Sequence, residues 1–98
     1  MTACNRESAP DPKDAALIAN TEQRLRAKLR DPASARFRRV FVSYSGGSTE
    51  VCGEVDALNA FGAYSGYQRF IMGDAVTVLE SDYGSDAMDE NWARYCVR

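Results

Sequence analysis

A chain of 98 residues supports one hydrophobic core and not two, because a domain this short buries only ~60–70% of its unfolded surface. Its 45% apolar and 27% charged residues are ordinary for a globular domain, and no apolar run nears the ~20 residues needed to cross a bilayer, which excludes a spanning helix. Net charge is −2, split between a basic stretch (residues 1–40: nine Lys/Arg, five Asp/Glu) and an acidic one (residues 41–98: three against nine), a dipolar pattern rather than the broad basic surface of a nucleic-acid binder.

Histidine is absent, and Cys4, Cys52 and Cys96 show no Cys-x-x-Cys spacing, so the usual zinc patterns are missing and neither metal nor cofactor is expected. Cys52 and Cys96 are well separated in a small domain and fit a structural disulfide, which in the chain-entropy account stabilises by about 4 kcal/mol. That pairing implies an oxidising compartment. Two buried free thiols are the alternative.

At the start, Met1-Thr2-Ala3-Cys4 is similar to the end of a bacterial lipoprotein signal, Leu-Ser/Thr-Ala/Gly-Cys, with Met1 where the leucine stands. The expectation is a precursor that extends upstream and a lipidated Cys4 as first residue of the mature protein; a chance cysteine in a tail is the alternative. Residues 1–11, polar and proline-bearing, are expected to form a flexible tether, and residues 12–98 a single domain.

Asp11 and Pro12 are a capping residue and a first-turn proline, and predict a helix over 12–30 that stops at Asp31-Pro32. Leu17, Thr21, Leu25 and Leu29, with Ile18 beside them, form its core-facing stripe. Its basic residues, Arg24, Arg26, Lys28 and Arg30, are a solvated face in the simplest reading. Residues 37–44 and 49–57 predict a hairpin turning at Gly46-Gly47. Alternation puts Thr49, Val51, Gly53, Val55 and Ala57 on a face for the helix to cover, and Glu50, Cys52, Glu54 and Asp56 on a wet side. Strands over 68–73 and 75–81, joined at Gly73-Asp74, complete an antiparallel meander. A last helix, capped by Ser85 or Asp86, carries Met88, Trp92 and Tyr95 and ends at Cys96. The expected fold is therefore α+β: an N-terminal helix on a meander of about four strands, with a short C-terminal helix tied to strand 2 by the disulfide.

Catalysis finds little support. Glu50, Glu54 and Asp56 share a strand face without an evident cleft, and there is no histidine base to activate a nucleophile. Asp82, Asp86, Asp89 and Glu90 do not have the spacing of an EF-hand and sit where a helix dipole favours acids. The expectation is a non-enzyme with no small-molecule substrate. The most distinctive segment is residues 59–70, where Phe61, Tyr64, Tyr67 and Phe70 recur every three residues among Gly, Ala and Ser. Phe61, Tyr64, Tyr67 and Arg69 are candidate partner-binding residues, since tyrosine with small residues suits recognition. The aromatics folding back over one end of the sheet is the alternative.

The run Val51-Cys-Gly-Glu-Val-Asp-Ala-Leu-Asn-Ala-Phe-Gly-Ala-Tyr-Ser-Gly-Tyr-Gln-Arg-Phe70 resembles a family of small, largely uncharacterised lipoprotein-like proteins of Gram-negative bacteria and prophages. Asp31-Pro-Ala-Ser-Ala-Arg-Phe37 and Trp92-Ala-Arg-Tyr-Cys96 are similar to further elements of that family, so the likeness spans residues 20–96. Asp56 stands where the family favours Asn, and Ala63 where it favours Gly. The resemblance implies an envelope location, periplasmic or at the outer membrane, and a disulfide, without implying an activity. A non-catalytic cell-envelope domain that binds a protein partner, touching the membrane only through an N-terminal lipid, is the leading expectation. An inhibitor or immunity protein against an envelope hydrolase, toxin or phage function is the second, and a cytosolic module binding an acidic partner through residues 24–39 the third.

Overall fold

In a computed structural model of the chain, which describes residues 11–44, 47–73 and 76–97, the first helix α1 spans Pro12–Arg26. Asp11 caps it by accepting from the Asp14 amide at 2.8 Å, and Pro12 occupies the first turn, where its missing N–H costs nothing. The helix ends short of the expected Arg30. Lys28 and Leu29 donate to Leu25 and Arg26 in a tighter turn, which still delivers Leu29 to the core. A single 3-10 turn, Pro32–Ser34, then leads into the sheet.

Strands β1 (Arg36–Ser43), β2 (Glu50–Asp56), β3 (Gln68–Gly73) and β4 (Thr77–Leu79) form one antiparallel meander in sequence order. The expected turns at Gly46-Gly47 and Gly73-Asp74 involve Gly46 and Asp74, which lie outside the described residues, as do Cys4 and residues 1–10 of the expected tether. Two short helices close the chain, α2 (Glu80–Tyr83) and α3 (Ser85–Tyr95).

Helices cover both faces of the sheet. Leu25 of α1, flanked by Leu17, Ile18 and Leu29, packs on Val51, Val55, Phe70 and Met72. On the other face Met88, Trp92 and Tyr95 of α3 pack on Cys52, Ile71, Phe41 and Val78. Full burial of each large side chain contributes roughly 1.5–3 kcal/mol. Cys52 and Cys96 form a disulfide with Cα atoms 6.0 Å apart, which ties the end of α3 to the middle of β2. The Tyr44 hydroxyl donates to Asp14, joining the end of β1 to the start of α1.

The face of β2 expected to be wet is not. Cys52 is fully buried beneath α3, Asp56 is 5% exposed where residues 57–67 fold against it, and Glu50, at the other end of the strand, is 3% exposed. Glu54 alone among the three acids stays at the surface. Glu50 Oε1 has no hydrogen-bond partner among the described residues.

β1 carries an irregularity that its apolar pattern demands. Phe37, Val40 and Val42 all join the α1-side core, yet 37 and 40 are an odd number of residues apart. The register slips between Arg38, opposite Glu54, and Phe41, opposite Cys52, so two residues face Gly53 alone. This bulge shifts the alternation by one and brings Val40 to the core. It places Arg39 at φ +56, left-handed backbone that a side chain disfavours.

The fourth strand also departs from expectation, ending at Leu79 where 75–81 was predicted. Glu80 Oε1 takes the Arg69 amide at 3.0 Å and Gln68 Oε1 takes the Ser81 amide at 2.7 Å, so side chains replace the ladder and the chain turns into α2. Neither Ser85 nor Asp86 caps α3: Gly84 holds that position, its carbonyl accepting from Met88 at 3.1 Å.

Candidate functional site

Residues 57–67, the connection between β2 and β3, are held at four points. Leu58 bridges to Tyr64 across the base. The Leu58 amide donates to Ser34 Oγ at 2.9 Å, and the Tyr64 hydroxyl donates to the Ser34 carbonyl at 2.8 Å. The Gly66 amide donates to Asp56 Oδ1 at 3.2 Å. At the tip, Asn59 organises the turn: its Oδ1 accepts from the amides of Phe61 (2.8 Å) and Ala63 (3.2 Å), and its backbone pairs with Ala63 and Gly62. Gly62 takes φ +76, a conformation that closes this turn and that glycine adopts without strain.

The four aromatics spaced by three differ sharply in what they touch. Phe70 is in the core, edge-on to Phe37 at 6.0 Å. Tyr67 lies half-buried beneath Arg38, whose guanidinium carbon is 3.8 Å from the ring centroid. Tyr64, 39% exposed, is covered in the same way by Arg36 at 3.5 Å. Phe61 touches almost nothing and is 93% exposed. The alternative reading, aromatics folded back against the sheet, describes Tyr64, Tyr67 and Phe70, while Phe61 is displayed at the tip of an ordered turn.

The arginines of β1 missing from the expected site are central to it. Arg36 pairs with buried Asp56 at 3.5 Å while stacking on Tyr64. Arg38 donates to Glu54 Oε1 at 2.5 Å while stacking on Tyr67. Each such stack is worth about 0.5–1 kcal/mol at an exposed position. Alternation along β1 was the available signal, because it sets Arg36 and Arg38 on one face, opposite Asp56 and Glu54.

Arg69, expected as a directional donor for a partner, is engaged within the fold. It donates to Glu80 Oε2 at 2.8 Å and lies 2.8 Å from Asp89 Oδ1. Hydrogen bonding from its guanidinium and amide holds the Glu80 carboxyl below its ordinary range, and Glu80 in turn raises Arg69. Beyond Arg69, between the β1 bulge and α3, a cleft of about 560 Å³ is lined by Arg39, Phe41, Glu54, Arg69, Trp92 and Cys96.

Asp89 of the acidic cluster thus belongs to an ion pair, and among the described residues no three His, Cys, Asp or Glu side chains come together as a metal-holding group. Among the described residues no helix is long and apolar enough to cross a membrane. Compared with known proteins, the chain matches no family model, no curated protein and no solved structure.

Proposed function

We propose that this domain is a non-catalytic recognition module of the cell envelope that captures a protein partner through residues 59–67, with Phe61 as the anchor. The observation that carries this reading is a phenylalanine 93% exposed at the tip of a turn already fixed by Asn59 and buttressed by Ser34. Leaving a large apolar ring in water gives up the burial it would gain elsewhere, and a pre-ordered loop inserts that ring into a partner's pocket with little further loss of conformational freedom. Arg36, beside the loop and 53% exposed, adds positive charge to the rim and favours a partner whose pocket has an acidic edge.

The disulfide supports an oxidising location. Lipidation of Cys4, attachment to a Gram-negative envelope membrane and membership of the lipoprotein-like family rest on the sequence likenesses of residues 1–4, 31–37, 51–70 and 92–96. A rigid protruding loop is also what an inhibitor or immunity protein inserts into an enzyme cleft, and protection of cells from a secreted toxin distinguishes that second reading.

Phe61→Ala is the informative variant because nothing in the fold leans on this ring. Domain immobilised through its N-terminus is challenged with envelope extract, and captured proteins are quantified by mass spectrometry. A specific partner should fall at least ~10-fold with the variant while the melting temperature stays within about 2 °C. Equal capture by both proteins overturns the assignment to the loop.

A further inference from the structure

Arg39 occupies a position at which glycine would serve the fold better. The bulge exists to bring Val40 onto the core face, and its left-handed residue at φ +56 is the kind of position glycine fills without strain. Strain kept at a surface position points to a use for the side chain.

What the bulge sets up is a guanidinium at the mouth of the cleft between β1 and α3. Arg39 is 71% exposed there. Of the arginines around it, Arg38 bonds Glu54 Oε1 at 2.5 Å and Arg69 is held by Glu80 and Asp89 at 2.8 Å each. Among the described residues the acid that Arg39 approaches is Glu54, whose Oε2 stands 3.7 Å away, beyond hydrogen-bond range, so its planar fork of donors is available to a ligand. The cleft also carries Phe41 and Trp92, packed edge-to-face at 6.1 Å, and its volume of about 560 Å³ is that of a small-ligand site. An open fork takes a carboxylate in bidentate fashion, and the neighbouring rings take an apolar body attached to it. Glu54 Oε2 lies beside the fork as an acceptor for an N–H next to that carboxylate. β1 is an edge strand, so an extended segment can approach along it.

We infer that this cleft receives the C-terminal residue of a partner chain, its α-carboxylate on Arg39, its amide N–H toward Glu54, and an apolar side chain against Phe41 and Trp92. The site is distinct from Phe61; on its side of the fold Arg38, bonded to Glu54, stacks on Tyr67.

Trp92 is the only tryptophan of the chain, so its fluorescence reports on this cleft directly. The probes are a hexapeptide of alternating Gly and Ser ending in phenylalanine with a free carboxylate, the same peptide amidated, and free phenylalanine. The acid should produce a saturable change, the amide should bind at least ~10-fold more weakly, and Arg39→Gly should weaken the acid at least ~10-fold while melting no lower than wild type. Absence of a saturable change, equal titration by acid and amide, or undiminished binding by Arg39→Gly overturns the inference. Free phenylalanine binding as tightly as the peptide overturns the assignment to a partner chain. Phe61→Ala should leave the titration unchanged, which keeps failure here separate from failure of the loop assignment.

Discussion

Val40 lies across Gly53 so closely that a Cβ at position 53 would stand 2.8 Å from Val40 Cγ2 and 3.0 Å from Val40 Cα, with Phe70 Cε2 at 3.1 Å on another side. The bulge and the glycine are therefore one device: β1 can present Val40 to the core because β2 offers no side chain beneath it.

Gly53→Ala should accordingly destabilise, although alanine has no difficulty with strand backbone. One contact is with backbone and another with a fully buried ring, so the added methyl forces a shift costing about 1–3 kcal/mol. For a domain of this size that is a fall in melting temperature of roughly 5–15 °C, measured by circular dichroism. An unchanged melting temperature would show that the Val40 contact is looser than described.

Removing the disulfide should act unevenly. Cys52→Ala with Cys96→Ala forfeits about 4 kcal/mol of chain-entropy stabilisation, a large share of the ~5–15 kcal/mol typical of a small domain. Helix α3 touches the sheet mainly through Met88, Trp92, Tyr95 and the bridge itself, whereas β2 is paired on both sides. Hydrogen exchange should show α3 losing protection ahead of β2 and β3. Uniform loss along the chain would mean that α3 and the sheet open as one unit.

Acid and alkali should each release one tie. Arg69 depresses the Glu80 carboxyl, so its stabilisation is fully present above the unfolded value of about 4.3 and is lost as pH falls through the lower folded value. Glu80→Gln should flatten this acid limb of a melting-temperature profile. Tyr44 is pushed to about 12, chiefly because its hydroxyl donates to Asp14. That tie is intact below the unfolded value of about 10 and is lost as pH rises through the folded one. Ultraviolet titration should therefore show a late phenolate that is missing in Tyr44→Phe.

The helix stripe and the strands were legible because periodicity is a local property of the chain, and the Cys52–Cys96 bond because so few cysteines leave few pairings; the order of the strands was not fixed by either, since it depends on contacts between segments. The bulge was legible in principle, since Phe37, Val40 and Val42 cannot share a face of a regular strand. Helix α2 was not, because what ends β4 is the capture of the Glu80 and Ser81 positions by Arg69 and Gln68, whose approach is tertiary. Residues 59–70 show the same limit at the candidate site. Phe61 and Tyr64 are equivalent by spacing, and they part because only Tyr64 has a hydroxyl to reach Ser34 and an arginine to cover it. Arg69 looked available for the converse reason: its partners, Glu80 and Asp89, belong to α2 and α3, which only folding brings to β3.

The bridge between β2 and the end of α3 also determines how the domain responds to a pull. Tension applied at residues 11 and 97 runs along the chain to Cys52, crosses the sulfur atoms to Cys96, and never reaches the 44 residues of separation that the bond bypasses. At ~3.5 Å per residue, roughly 150 Å of slack is withheld from stretching. Loosening of α1 and shear between β1 and β2 are the events such a load can produce, while β3, β4, α2 and residues 59–67 sit inside the covalent ring. The turn that Asn59 fixes and its tie to Asp56 lie within that ring, whereas the contacts from Ser34, Arg36 and Arg38 come from the loaded stretch and are the ones a pull can release.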